Sequence, residues 1–433
     1  MMNLFNVLKY SNIKKKCKYK TKICEFDLSD IDKGISEFAQ KIYDKNKSKF
    51  LEFQKNSSIV GFWGSRLYDV GGHTPCLVNL ADSMYDGDKK NPVFLSKYDS
   101  TIKKAPLTIE KLNKCCEIFG VEYSGFNFER KLIEGYNKII ENCPKVFILY
   151  IAQNDIYSTA LIYLLKETTG VKFIFVDHAS HYPNLGMTLS DVIIEELDTT
   201  VKTLLEKRHI TTIPYRKCGL QSKKKEEIKY YSIEEKQAKR AELDIPKDAL
   251  LSVSGGSSYK YFENNKSEHY EMIKRLLEKV PNLYHLAITN LSKEQKQIID
   301  KIFEKSGVQN RLLFHPLTPQ YDILFQCADL FIDSFPMSSA MTQIDLMAMK
   351  VPTVVKINTE KPELTFHEYM PNDYPYMYEK VEDMEKEIIN LLNSPNLRSQ
   401  LVDSNYTYWL KNNENYVVKE KYIKVMEDLI SGK

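Results

Sequence analysis

The chain is 433 residues long, 43% hydrophobic and 27% charged, a balance that describes a globular protein of two or three domains and excludes a disordered or fibrous one. Its 61 Lys and Arg against 58 Asp and Glu leave a net charge of +3, too little for a general nucleic-acid footprint, so any anion must be met locally. The eight cysteines form no CxxC pair, and a chain of this size needs no disulfide staples, which points to a reducing, cytoplasmic setting.

At the start, the apolar MMNLFNVL precedes the basic KKKCKYKTK, the reverse of a secretory signal, and no small-residue cleavage site follows. Six lysines from Lys14 to Lys22, close to Leu4, Phe5, Val7 and Leu8, make this stretch either a solvated start or a peripheral contact with an anionic membrane at its inner face. The longest apolar run, VFILYIA from Val146 to Ala152, is far short of the roughly 18 residues that a membrane span needs and reads as a buried strand.

After about residue 55, short apolar runs alternate with helical periods, the pattern of α/β layers. Strands are expected at Ser58–Trp63, Pro92–Leu95, Lys145–Tyr150, Lys172–Val176, Asp191–Glu195 and Ile210–Ile213, with amphipathic helices at Phe128–Asn142 and Asp155–Glu167. Residues 218–247 are charged and helical and end in a proline turn, a natural boundary. A second alternation follows, with strands at Ala249–Ser254, Leu283–Ile288, Arg311–Phe314, Leu330–Asp333 and Pro352–Lys356. Its helices are expected near Glu268–Lys279, Lys293–Lys305, Gln320–Cys327 and Met341–Met349.

Parallel strands need crossover helices, so each half is expected to close as a Rossmann-like layer, the two facing a central cleft, with an aromatic-rich helical tail. The predicted division is 1–55 extension, 56–215 first Rossmann-like domain, 216–247 helical linker, 248–380 second Rossmann-like domain and 381–433 C-terminal helices.

The most informative stretch is FIDSFPMSSAMTQIDLMAMKVPTVV, Phe331–Val355. A strand runs through a proline-marked loop into a helix whose first turn is expected to hold Ser338, Ser339, Thr342 and Asp345. Free N–H groups and the positive dipole end at a helix start suit a phosphate. Thr342 and Asp345, three apart, share a face, so the hydroxyl could meet a phosphate while the carboxylate accepts from a ribose diol. Simple N-capping by Ser338 or Ser339 is the alternative. In SGGSSYKYF, a strand ends in Gly255, Gly256, Ser257 and Ser258, and Lys260 adds a positive charge at its edge. GxxxxGK[ST] and GxGxxG are both absent, which argues against a nucleotide kinase or a dehydrogenase.

In the first half, Gly71, Gly72 and His73 stand where a loop enters a helix, and a histidine there suits proton removal from a hydroxyl; a cap or packing role is the alternative. Past the strand at Lys172–Val176 come Asp177, His178 and His181. No HExxH, cysteine or carboxylate completes a metal site with them, so they read as orienting or substrate-contacting residues, and no metal is expected.

Four segments in order, the GGHTP loop, HASHYPNLGMTLSDVII, the SSYK loop and the Asp333-to-Pro352 segment, resemble the catalytic region of the O-linked N-acetylglucosamine transferase family and its bacterial cytoplasmic relatives. The resemblance covers about residues 58–356. It implies the GT-B architecture, a uridine-diphosphate sugar as co-substrate with no other cofactor, and metal-independent inverting transfer to a glycan, lipid-linked or protein acceptor. It also assigns Lys260 to the diphosphate, Thr342 to a phosphate, Asp345 to the ribose and His73 to the acceptor side as a base. The chain departs from the family at Ser339, Ala340 and Met341, where Gly-His-Thr precedes the shared threonine, and at Lys350, which replaces a glycine. Three alternatives are open: a retaining transferase, a nucleotide-sugar epimerase, and a non-catalytic nucleotide-sugar-binding protein.

Overall fold

The computed structural model describes residues 27–432 apart from 71, 123–126, 181, 366 and 372. The Lys14–Lys22 stretch and His181 therefore lie outside the described residues. The chain divides into two compact units, Met1–Gln221 with Val418–Lys433, and Ser222–Val417. No helix among the described residues is long and apolar enough to cross a membrane.

The first unit is built on strands β1 (Val60–Gly64), β2 (Asn91–Leu95), β3 (Cys116–Gly120), β4 (Val146–Tyr150), β5 (Lys172–Val176), β6 (Val192–Ile194) and β7 (Tyr215–Arg216). They form one seven-stranded sheet in the order β3-β2-β1-β4-β5-β6-β7. Every pairing is parallel. Strands buried on both faces need continuous apolar runs rather than alternation, and VGFWG, NPVFL and VFILY supply them, buried along their whole length. Aromatic rings knit the centre: Phe147 stacks on Phe173 at 5.5 Å and meets Trp63 edge-on at 5.5 Å.

The helix Ser29–Asn46 buries Ile31, Ile35, Ala39 and Ile42, a stripe at helical spacing, in the same core. Its Asp32 caps the turn after β5, accepting from the Gly186 and Thr188 amides at 2.9 and 3.3 Å.

One strand expectation needs correction, and one strand was not expected. The run Ile210–Ile213 is not a strand; the backbone that pairs with β6 is Tyr215–Arg216, while Ile210 turns into the core. The strand β3 had no continuous apolar run to announce it: it is the edge strand of the sheet, with Cys116 buried, Glu117 exposed and Ile118, Phe119 and Gly120 half-buried.

The second unit carries β8 (Leu250–Gly255), β9 (Leu283–Ile288), β10 (Leu312–His315), β11 (Leu330–Ile332), β12 (Thr353–Lys356) and β13 (Met377–Tyr378). The order is β10-β9-β8-β11-β12-β13, again all parallel. In both sheets the strand order reverses once, between β1 and β4 and between β8 and β11. Chain connections leave such a point in opposite directions and open a crevice at the strands' C-terminal ends. Helices Val381–Asn393 and Pro395–Asn412 complete this unit. The residue that stands where the resembled family has glycine, Lys350, has φ 58°, so its backbone keeps the left-handed turn after the helix Ala340–Ala348. Its ammonium lies over the Tyr406 ring at 4.4 Å, a cation–π contact that helps hold a lysine there.

Candidate functional site

The crevice end of the second unit's sheet is formed by two loops. The first follows β8. Gly255 leaves no room for a side chain, since a Cβ there would lie 2.8 Å from the Phe325 ring. Gly256 has φ +152°, and a Cβ on it would come within 3.1 Å of the Ser339 hydroxyl and 3.6 Å of the Lys260 chain. The chain then makes a 3₁₀ turn, Ser258–Tyr261, which begins at Ser257 and brings Lys260 back over the sheet. Lys260 Nζ donates to the Ser338 carbonyl at 2.8 Å and to Ser339 Oγ at 3.0 Å. Burial lowers its pKa to about 8, with the charge of Asp333 opposing.

The second loop follows β11, contains the cis peptide Phe335-Pro336 and feeds the helix Ala340–Ala348. Ser339 is its N-cap residue but makes no side-chain cap, because its hydroxyl is turned to Lys260 and Ser334. The expectation that Ser338 or Ser339 simply caps the helix is therefore corrected. Asp333 is the hub beneath: fully buried, it accepts from the Ser334 amide at 2.8 Å, the Ser339 amide at 3.2 Å and Gln343 Nε2 at 2.7 Å. Burial raises it to about 6 against the opposing Lys260 charge and these donors. At neutral pH both groups are charged, so a cation sits at the positive end of a helix with its counter-charge behind it.

Thr342 lies in the first turn of that helix. Asp345 lies one turn on, a correction to its expected first-turn place. Its carboxylate accepts from the Tyr321 hydroxyl at 2.8 Å; burial raises it to about 6, with Lys223 opposing. Lys223 itself pairs with Asp322 at 2.7 Å. The fold thus gathers Gly256, Ser257, Lys260, Ser338, Ser339 and Thr342 around one helix start, and Asp345 joins a separate Tyr321–Lys223–Asp322 cluster along it. Asp333, Tyr321 and Lys223 escaped sequence reasoning. An aspartate directly after an apolar strand and before a serine-rich loop was the available signal for the first; nothing local marks the other two.

In the first unit, Gly72 is the N-cap of the helix His73–Ser83. His73 Nε2 is 3.2 Å from the Arg66 carbonyl. A carbonyl only accepts, so Nε2 carries the proton and Nδ1 keeps the lone pair. Burial pushes this histidine below its ordinary range, which leaves it neutral at pH 7. Its ring stacks on His178 at 5.0 Å and meets Tyr68 edge-on at 6.0 Å. His178 is oriented in turn by the Val176 carbonyl, 3.3 Å from its Nδ1.

Two carboxyls follow neighbouring strands: half-buried Asp177 after β5 and buried Glu195 after β6. Burial raises both; mutual repulsion adds to the rise at Glu195. At the strand reversal stands Asp155, the N-cap of the helix Ile156–Thr169. Its Oδ2 accepts from the hydroxyls of Ser65, Ser96 and Ser158, tying the loops after β1 and β2 to this helix. No group of His, Cys, Asp and Glu arranged to hold a metal ion occurs among the described residues.

No protein-family model matches this chain, and no curated protein matches it. Solved structures do. A glycosyltransferase from Rickettsia africae aligns over 87% of this chain and 100% of its own, with TM-score 0.67 at 11% identity. HepE of Anabaena, solved in complex with UDP and glucose, aligns over 86% and 100% with TM-score 0.65 at 9% identity. An O-GlcNAc transferase of Thermobaculum terrenum aligns over 94% and 75% with TM-score 0.56 at 9% identity. With so little sequence in common the likeness is one of architecture, and the architecture that the sequence led us to expect is the one found: this chain has the GT-B fold.

Proposed function

We propose that the protein is a glycosyltransferase that takes its sugar from a nucleoside-diphosphate donor, UDP-linked, and passes it to an acceptor hydroxyl or amide with inversion and without a metal ion. The observation that carries this reading is the Lys260 ammonium held by Ser338 and Ser339 at the uncapped start of the helix Ala340–Ala348, beside a glycine too tightly placed for a side chain. A helix start and a fixed ammonium together suit a diphosphate. HepE of Anabaena, which shares the fold, was solved with UDP and with UDP-glucose.

In this reading the second unit binds the donor. Lys260, Thr342 and the helix amides meet the phosphates, Gly256 and Ser257 let the backbone approach them, and Asp345 accepts from the ribose. The first unit serves the acceptor. His73 Nδ1 takes the acceptor proton, the acceptor atom bonds to the anomeric carbon, and the bond from that carbon to the diphosphate oxygen breaks with its electron pair. Charge then builds on the leaving diphosphate, where the ammonium and the helix start offset it, the service a divalent ion gives elsewhere. His178 holds the His73 ring by stacking, and Gly72 frames the same loop. In this reading the protein works in the cytoplasm, a setting that suits the six cysteines free and buried among the described residues.

The test is calorimetric titration with UDP and a panel of UDP-sugars, followed by a donor-consumption assay with candidate glycan, lipid-linked and peptide acceptors. Saturable UDP binding with sugar transfer supports the proposal. UDP binding without consumption across the panel favours a binding protein, and no nucleotide binding at all refutes the donor site.

A further inference from the structure

A second cavity, of about 730 Å³, lies at the opposite end of the first unit's sheet, under the N-terminal ends of β1, β2 and β4. One wall is the helix Asn415–Ser431. Val418, Tyr422 and Val425 of this helix are buried, and an adjoining stripe of Ile423, Met426 and Ile430, spaced three or four apart with Lys419 one turn before Ile423, lines the cavity. Across from them Ile59 is 60% exposed, and Ile430 at the mouth is 46% exposed. With Ile423 and Met426 they make the apolar part of the lining contiguous, which is what marks a binding surface.

The charges select the cover. Lys89, Lys145 and Lys419 line the cavity against two acids, Asp86 and Glu427. Asp86 is engaged by the Asp88 amide at 3.0 Å, and Lys89 reaches the Ser57 carbonyl. No carboxylate stands within ion-pair distance of Lys145 or Lys419 among the described residues. No aromatic side chain lines the space, so it offers a base or a sugar ring no stacking surface. The volume matches a small-molecule site.

We propose that this cavity binds a single-chain anionic amphiphile, an acyl or alkyl chain against Ile59, Ile423, Met426 and Ile430 with its phosphate or carboxylate head on Lys145 and Lys419. The site is independent of the nucleotide-sugar reading, since every lining residue lies in the first unit and none belongs to the proposed donor site.

The experiment is calorimetric titration of the full chain with dodecyl phosphate below its micelle concentration, beside neutral dodecyl maltoside. Saturable binding of the phosphate, weakened at least about tenfold by Ile430→Asp and by Lys145→Glu with Lys419→Glu, is expected. Ile430→Leu should bind as wild type, and unchanged thermal unfolding and UDP binding in each variant separate loss of this site from loss of the fold or of the donor site. Co-sedimentation with phosphatidylcholine vesicles containing phosphatidylglycerol, lost in Ile430→Asp, would support the site with a bilayer lipid as its source; titration without co-sedimentation would support it with a free amphiphile. No dodecyl phosphate binding, equal binding of the maltoside, or undiminished binding by Ile430→Asp would overturn it.

Discussion

If Lys260 meets the donor diphosphate, nucleotide affinity must follow its protonation. Burial brings this lysine down to about 8, and Asp333 opposes the fall. The binding form is the ammonium, which is lost as pH rises through 8. The protonated fraction is then about nine-tenths at pH 7 and about one-tenth at pH 9, so the UDP association constant should fall roughly tenfold between them, about 1.4 kcal/mol. Lys260→Arg keeps its charge over this range, so its profile should show only the ionisation of the ligand. Lys260→Met removes one charge-assisted contact, worth about 1.5–3 kcal/mol, and should bind UDP roughly ten- to a hundredfold more weakly at pH 7. Calorimetric titration of the three proteins at pH 7, 8 and 9 decides the matter, because ionisation of the uracil is common to all and cancels in their ratios. A wild-type profile parallel to that of the arginine variant, or a methionine variant within twofold of wild type, would refute the reasoning.

The other predictions are as specific. His73→Ala should leave UDP affinity unchanged and lower kcat by roughly 10²- to 10⁴-fold, the range of a lost general base; steady-state kinetics beside titration will tell, and unaltered turnover removes His73 from the reaction. Asp345→Ala should weaken UDP binding about tenfold, whereas Tyr321→Phe, which leaves the carboxylate in place, should cost less; equal losses would mean that Asp345 serves only the fold. Gly256→Ala places a Cβ 3.1 Å from the Ser339 hydroxyl on a backbone at φ +152°, and should cost about 1–3 kcal/mol in urea unfolding together with nucleotide affinity. Asp155→Ala strands the hydroxyls of Ser65, Ser96 and Ser158 and should destabilise the first unit by about 2–5 kcal/mol, measured by denaturant unfolding, while UDP affinity stays as it is.

The fold was legible where its physics is local. Buried parallel strands must be apolar end to end, so VFILY and its counterparts could be read one by one, and strand-loop-helix junctions announced Gly256, Lys260 and Ser339. The misses have physical causes as well. An edge strand such as Tyr215–Arg216 is exposed and carries no apolar run, whereas the nearby Ile210 is apolar for the sake of the core. Asp333 acts through donors brought to it by the tertiary fold, and the Tyr321–Asp345 bond joins two helical segments across the second unit. Asp155 reads as an ordinary N-cap until Ser65 and Ser96, from two other loops, arrive at the same oxygen. Lys350 shows the reverse: a departure in sequence conceals a backbone turn that is kept.

The path of the chain also has a consequence for how it is made. The first unit is made of two stretches, Met1–Gln221 and Val418–Lys433, and the whole of the second unit lies between them in sequence. Tyr422, in the helix Asn415–Ser431, is buried and hydrogen-bonds Tyr150, at the end of β4. A ribosome therefore releases the second unit's complete sequence before the first can close. Truncation within this helix should therefore harm the unit farthest from it in sequence.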